Sequence, residues 1–122
     1  MNKTIAIPLQ GGILCAHFGH CETFAIVKVV NGEITDIQER TPPEHVPGVY
    51  PRWVAELGAT DVIAGGMGQK AIQLFHEQKI NVFIGAPLIN PKELVTNFIE
   101  DKLELSANYC DHDENHSHGC NK

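Results

Sequence analysis

Asn31-Gly32 is the feature that most narrows the folds open to this chain. It stands between two segments with strand character, Thr23–Val30 and Glu33–Arg40. Both turn residues tolerate positive φ, so the dipeptide fits the mirror-image turn that joins antiparallel strands. The first segment is nearly all apolar. The second alternates polar and apolar, as a strand with one exposed face should. An antiparallel pair is therefore expected in the first third of the chain.

The middle of the chain follows a different rule. Asp61-Val62-Ile63-Ala64 reads as a strand, Gly65-Gly66-Met67-Gly68 as a turn, and Gln69 to Gln78 as a helix with Ala71, Ile72, Leu74 and Phe75 at helical spacing. Asn81–Gly85 is the next strand. Asn90-Pro91 then opens a helix through about Glu100, with Asn90 as N-cap and Pro91 in the first helical position. Earlier, Lys3–Leu9 reads as a buried strand broken by Gln10-Gly11-Gly12. Tyr50–Leu57 fits a short helix after the proline-rich segment Thr41–Gly48. A hairpin followed by βαβ units gives a mixed α/β sheet with helices on its faces and right-handed crossovers.

Bulk properties set limits on function. The 122 residues suffice for one core. A folded domain is expected over residues 1–107 and a flexible Cys/His-rich tail over 108–122. Fifteen acidic residues against nine basic ones argue against nucleic acid or an anionic membrane as partner. Thr4–Leu9 is too short for a signal-peptide core, and no apolar run reaches transmembrane length. The expected compartment is the cytoplasm, where four cysteines clustered with histidines read as ligands or redox groups rather than structural disulfides.

All four cysteines fall in two places. Cys15-Ala16-His17-Phe18-Gly19-His20-Cys21 lies between two apolar runs, and Cys110-Asp111-His112 precedes His116, His118 and Cys120. Thiolate and imidazole together suit zinc, copper or iron–sulfur species rather than magnesium or calcium. Cys-x5-Cys is not a standard zinc-finger spacing, and adjacent His20 and Cys21 could reach one metal only from a loop. Against this stands the plain alternative that Cys15 and Cys21 are small buried hydrophobes. The terminal cluster is either a metal site or a solvated tail with adventitious affinity. Gly65–Gly68 is either a tight βα turn or a row of N–H groups that cradles an anion; it matches neither a dinucleotide fingerprint nor a P-loop, although Lys70 is close. His45 could reach the same rim from the proline-rich loop, and Met67 could serve as a soft ligand. Cys21 beside His20 could be an activated thiolate. No catalytic elbow, carboxylate pair or His-Glu-x-x-His points to an enzyme.

Taken together, these segments resemble the dinitrogenase iron–molybdenum cofactor biosynthesis family, over roughly Lys3 to Leu105. The resemblance is carried by Ile5-Ala6-Ile7-Pro8, His17–Phe24, Ala64–Ala71 and Val82–Pro87. The His20-Cys21 form with Cys110-Asp111-His112 is similar to a stand-alone subgroup of that family. The resemblance implies a ribonuclease-H-like three-layer α/β/α fold with a five-stranded mixed sheet. It also implies binding or carriage of iron–sulfur, iron–molybdenum or related anionic clusters, rather than turnover, between cluster donor and acceptor proteins. On that reading Cys15, His20 and Cys21 are metal ligands, and His17 and His45 orient or supplement them. The Gly65, Gly66, Met67 and Gly68 backbone meets cluster sulfides, and Cys110 and His112 close the site. Two rivals are a mononuclear zinc or copper(I) site and a thiol-dependent redox or transfer enzyme. A third is a module that binds a nucleotide phosphate at the glycine turn.

Overall fold

The computed structural model describes residues 2–16, 21–42, 49–103, 105 and 107–109. Its strands are β1 (Lys3–Gln10), β2 (Ile13–Leu14), β3 (Thr23–Val30), β4 (Glu33–Arg40), β5 (Asp61–Ile63), β6 (Asn81–Ile84) and β7 (Ala107–Tyr109). Its helices are α1 (Val49–Glu56), α2 (Gln69–Glu77) and α3 (Pro91–Ile99). They form one mixed sheet in the order β4-β3-β1-β5-β6-β7, with β2 folded against β1. β1, β5 and β6 run parallel, and the other joints are antiparallel. The expected five-stranded mixed sheet is the β4-to-β6 portion. β7 extends it, pairing Ile84 with Ala107 and Val82 with Tyr109.

Period-two alternation sorts the apolar residues into two layers. Ile5, Ile7 and Leu9 of β1, Ala25, Val27 and Val29 of β3, Ile63 of β5 and Phe83 of β6 bury against Leu94 and Val95 of α3. Their neighbours Ala6, Phe24, Ile26, Val62 and Val82 face the other way, onto Tyr50 and Val54 of α1 and Ile72 and Phe75 of α2. The result is a three-layer α/β/α fold. Because β1 and β3 are covered on both faces, they read as nearly continuous apolar runs in the sequence. β4 lies at the sheet edge and keeps its polar alternation, with Ile37 exposed.

Local signals behave as their chemistry demands. Asn31 (φ 55°) and Gly32 (φ 80°) both take the left-handed region in the β3–β4 turn. Asn90 caps α3: its Oδ1 accepts from the Glu93 amide at 2.9 Å, with Pro91 in the first turn. Replacing Asn90 with alanine should cost about 1 kcal/mol, while Asn90→Ser should cost much less; urea titration of the two variants checks this. α2 is built differently. Its N-cap is Gly68, with no side-chain cap.

One buried charge sits at the amino ends of the parallel strands. Asp61, fully buried, receives Lys3 Nζ at 3.4 Å, the Thr60 hydroxyl and Asn81 Nδ2 at 3.3 Å. A buried carboxylate is tolerable only when it is paired and hydrogen-bonded. The network ties the starts of β1, β5 and β6 together and closes that end of the sheet. The carboxyl ends of the same strands lie at the opposite edge. Among the described residues no helix is long and apolar enough to cross a membrane.

Candidate metal centre

Parallel strands deliver their following loops to one edge, which is where open α/β sheets bind ligands. Three connections leave that edge here: after β1, after β5 and after β6. Gly11 (φ 67°) and Gly12 (φ 86°) form a two-residue turn that folds β2 back along β1, with Gln10 opposite Ile13. The Gln10-Gly11-Gly12 break is thus a second hairpin. It returns the chain so that the Cys15 amide donates to the Pro8 carbonyl at 2.9 Å. The Leu14 amide donates to the Ile89 carbonyl at 3.0 Å, which ties β2 to the loop after β6. On the other side of β1, the Glu22 amide donates to the Leu9 carbonyl at 2.7 Å, and the Gly11 amide donates to Glu22 Oε1 at 3.1 Å. Both ends of the Cys15–Cys21 segment are therefore pinned to the last residues of β1.

The glycine turn completes the edge. A Cβ on Gly65 would stand 3.0 Å from the Cys15 carbonyl oxygen and 3.3 Å from the Ala16 Cα. A Cβ on Gly66 would stand 3.1 Å from the Ala16 carbonyl. The two glycines thus let the β5–α2 turn press directly on the backbone of the thiol segment. The Gly85 amide donates to the Gly65 carbonyl at 2.9 Å and holds the turn from the β6 side. Met67 packs against the α1/α2 layer, and Gly68 presents the uncapped start of α2.

Neither Cys15 nor Cys21 is joined in a disulfide. Cys15 is 1% exposed, and its Sγ–H donates to Gln10 Oε1 at 3.8 Å. Cys21 is half-buried against the Phe24–Tyr50–Val54 layer. Burial pushes the Cys21 thiol up to about 11, and the charge of Cys15 adds to the shift. Hydrogen bonds from its own backbone and from the Tyr50 side chain oppose it. Tyr50 is raised as well, by burial and then by Cys21. Burial, with Cys15 nearby, thus disfavours a negative charge on Cys21. A bound metal reverses that preference.

This has a measurable consequence. The thiolate is the nucleophile, and a pKa raised by burial lowers its fraction at pH 8. The higher intrinsic nucleophilicity of a more basic sulfur offsets part of that loss. Cys21 in the metal-free protein should react with iodoacetamide about tenfold more slowly at pH 8 than an ordinary cysteine. The rate should keep climbing past pH 9 toward 11. The linkage sign agrees: a folded-state pKa above the unfolded one means stability is full below the ordinary thiol value and is lost as pH rises toward 11. Peptide mapping after timed alkylation reads the rate at Cys21.

Of the residues singled out in the sequence, Cys15, Cys21, Gly65, Gly66, Met67 and Gly68 come together at this edge. His17, His20, His45, Cys110 and His112 lie outside the described residues. Among the described residues no group of three or more His, Cys, Asp or Glu side chains gathers into a metal-binding cluster. Sequence reasoning missed Gln10, Glu22 and Tyr50. A signal for Tyr50 existed: a buried tyrosine needs a partner for its hydroxyl.

Comparison with known proteins places the chain among relatives. The family model described as "Dinitrogenase iron-molybdenum cofactor" matches residues 1–101. Protein MJ0580 of Methanocaldococcus jannaschii is 35% identical over 105 residues, covering 82% of this chain and 88% of that one. The crystal structure of PH0822 superposes with a TM-score of 0.78 at 24% identity, over 84% of this chain and 94% of that one. The apo form of the orange protein from Desulfovibrio gigas superposes with a TM-score of 0.73 at 19% identity, over 89% of this chain and 97% of that one. At those identities the structural likeness is one of fold.

Proposed function

The chain belongs to the dinitrogenase iron–molybdenum cofactor family, and from that membership we propose that it binds and carries an anionic metal–sulfur cluster. The cluster is cargo, received from a donor protein and passed to an acceptor, in a compartment such as the cytoplasm that keeps thiols reduced. The observation that supports this most is the packing of a glycine turn onto the backbone of a dithiol segment. Two thiolates cannot by themselves fill the four positions that zinc or iron takes in thiolate sites. A cluster that brings its own sulfides needs fewer protein ligands. It also needs donors aimed at those sulfides, which the uncapped N–H groups at the start of α2 can supply. His17, His20, Cys110 and His112 are available in the sequence to complete the coordination.

The raised thiol pKa favours carriage over catalysis. A nucleophilic cysteine is activated by lowering its pKa, whereas burial and the neighbouring Cys15 both raise that of Cys21. A thiol held neutral until metal arrives suits a ligand that must stay unreactive when empty.

Anaerobic reconstitution with iron and sulfide tests the reading. The expected product is brown, holds more than one iron per chain together with acid-labile sulfide, and shows sulfur-to-iron charge-transfer absorption. A colourless product that instead retains a single zinc would overturn it in favour of the mononuclear site.

A further inference from the structure

We propose that Glu22 is a positioning residue for the dithiol site: its side chain fastens the β1–β2 turn to the Cys21 arm and so fixes where the two thiol arms stand relative to each other. This role rests on the dithiol reading above and names what holds that site in shape. In a two-residue hairpin the ladder bonds join the flanking residues, here Gln10 and Ile13, and leave the amides of the turn itself over. The Gly11 amide is one of these, and it donates to Glu22 Oε1 at 3.1 Å. Both residues are exposed. Water would satisfy that amide equally well, so the turn does not demand the carboxylate. What the bond adds is a cross-link. On one side of it the chain runs through Ile13 and Leu14 to Cys15, whose amide is held by the Pro8 carbonyl at 2.9 Å. On the other side lies Cys21, next to Glu22 in the chain.

The link matters because β2 is only two residues long and pairs with β1 at Leu9 and Gln10. A ribbon this short has few ladder bonds to fix its direction. Backbone bonds hold each thiol arm to β1: the Cys15 amide to the Pro8 carbonyl, and the Glu22 amide to the Leu9 carbonyl at 2.7 Å. The Glu22 side chain adds a bond between the arms themselves. Two thiolates that share one metal or cluster must stand at a set distance and angle, and supports that orient ligands are typically worth ten- to a hundredfold in metal affinity. What the link needs from residue 22 is an acceptor of the right length. Glutamine has the same reach and the same Oε1 acceptor without the charge, whereas alanine has neither.

Titration of the full chain with cobalt(II) tests this, because thiolate-to-cobalt charge-transfer bands report the sulfur ligands and the ligand-field bands report the angles between them. Glu22→Ala should bind cobalt(II) about tenfold more weakly than the parent, with altered ligand-field bands. Its melting temperature should be nearly unchanged, since the residue 22 amide still holds the start of β3 to Leu9. Glu22→Gln should keep the parent bands and stay within about threefold of the parent affinity, because an exposed charge is screened by water and salt. Asn2→Ala is the matched control. The Asn2 side chain accepts from the Asn31 amide at 2.9 Å, so the change removes the same kind of bond from the β3–β4 turn and should leave cobalt binding as in the parent. Parent-like bands and affinity in Glu22→Ala would overturn the role of Glu22 while leaving the dithiol site intact. A loss in Glu22→Gln equal to that in Glu22→Ala would overturn it by making the charge the cause. An equal loss in Asn2→Ala would overturn it by making general loosening the cause. Absence of any thiolate–cobalt band in the parent protein would sink the dithiol site, and the link with it.

Discussion

Serine at both Cys15 and Cys21 is expected to abolish retention of iron and sulfide while leaving a folded domain. The two sulfurs are the described thiols at the sheet edge and the ligands of the proposed site, and a hydroxyl does not replace thiolate toward a soft metal. The fold should tolerate both changes for different reasons. Cys21 is half-buried, so a serine there keeps access to water. Cys15 is nearly fully buried, and burying a hydroxyl in its place costs only about 1–2 kcal/mol where a hydrogen bond is available. Gln10 Oε1, which already accepts from the Cys15 sulfur, supplies that bond. The double variant should therefore melt within about ten degrees of the parent. Iron content after anaerobic reconstitution should fall to the background of unbound iron. Iron that stays above half the parent level in a folded double variant would move the site elsewhere on the chain. By the same argument, Cys120→Ser should lose little, because Cys120 lies in the polar stretch beyond the strands that hold Cys15 and Cys21.

How far the sequence foretold this arrangement depends on the range of each interaction. Asn31-Gly32 and Asn90-Pro91 act over one or two residues through backbone preference, and both were legible. Sheet layering was legible too, since β1 and β3 carry apolar residues at consecutive positions and β4 does not. Gly11-Gly12 was read as a break although it is a turn. The strand it leads to, Ile13–Leu14, is too short to show any period. β7 escaped for the same reason: three residues, Ala-Asn-Tyr, have no alternation to recognise, and only pairing with β6 makes them a strand. At the site, residue types were legible and contacts were not. The sequence presented two cysteines and a glycine turn as separate features. That Gly65 meets the Cys15 carbonyl depends on where β1 and β5 lie in the sheet.

That contact between turn and thiol segment has its own test. Gly65→Val should cost roughly 1–3 kcal/mol in stability and lower cargo affinity on the order of a hundredfold, although every ligand atom remains. A Cβ at Gly65 already stands 3.0 Å from the Cys15 carbonyl oxygen, and valine adds two methyl groups beyond it. The neighbour is backbone, which cannot swing aside like the end of a flexible side chain. Its own position is also fixed by the bond from the Cys15 amide to the Pro8 carbonyl. Relief must come from moving the Cys15–Ala16 segment or the β5–α2 turn, and either motion parts the sulfurs from the N–H groups at the start of α2. Gly68 provides the control. It lies in the same turn, takes an ordinary extended conformation (φ −73°, ψ 159°), and a Cβ there meets nothing within 4 Å. Gly68→Ala should change stability by less than about 1 kcal/mol and leave iron loading near the parent value. Parallel melting curves and iron-to-sulfide ratios for the two variants decide the matter. Equal loading of Gly65→Val and Gly68→Ala would show that the turn and the thiols act independently, and that the glycines serve only to close a tight connection.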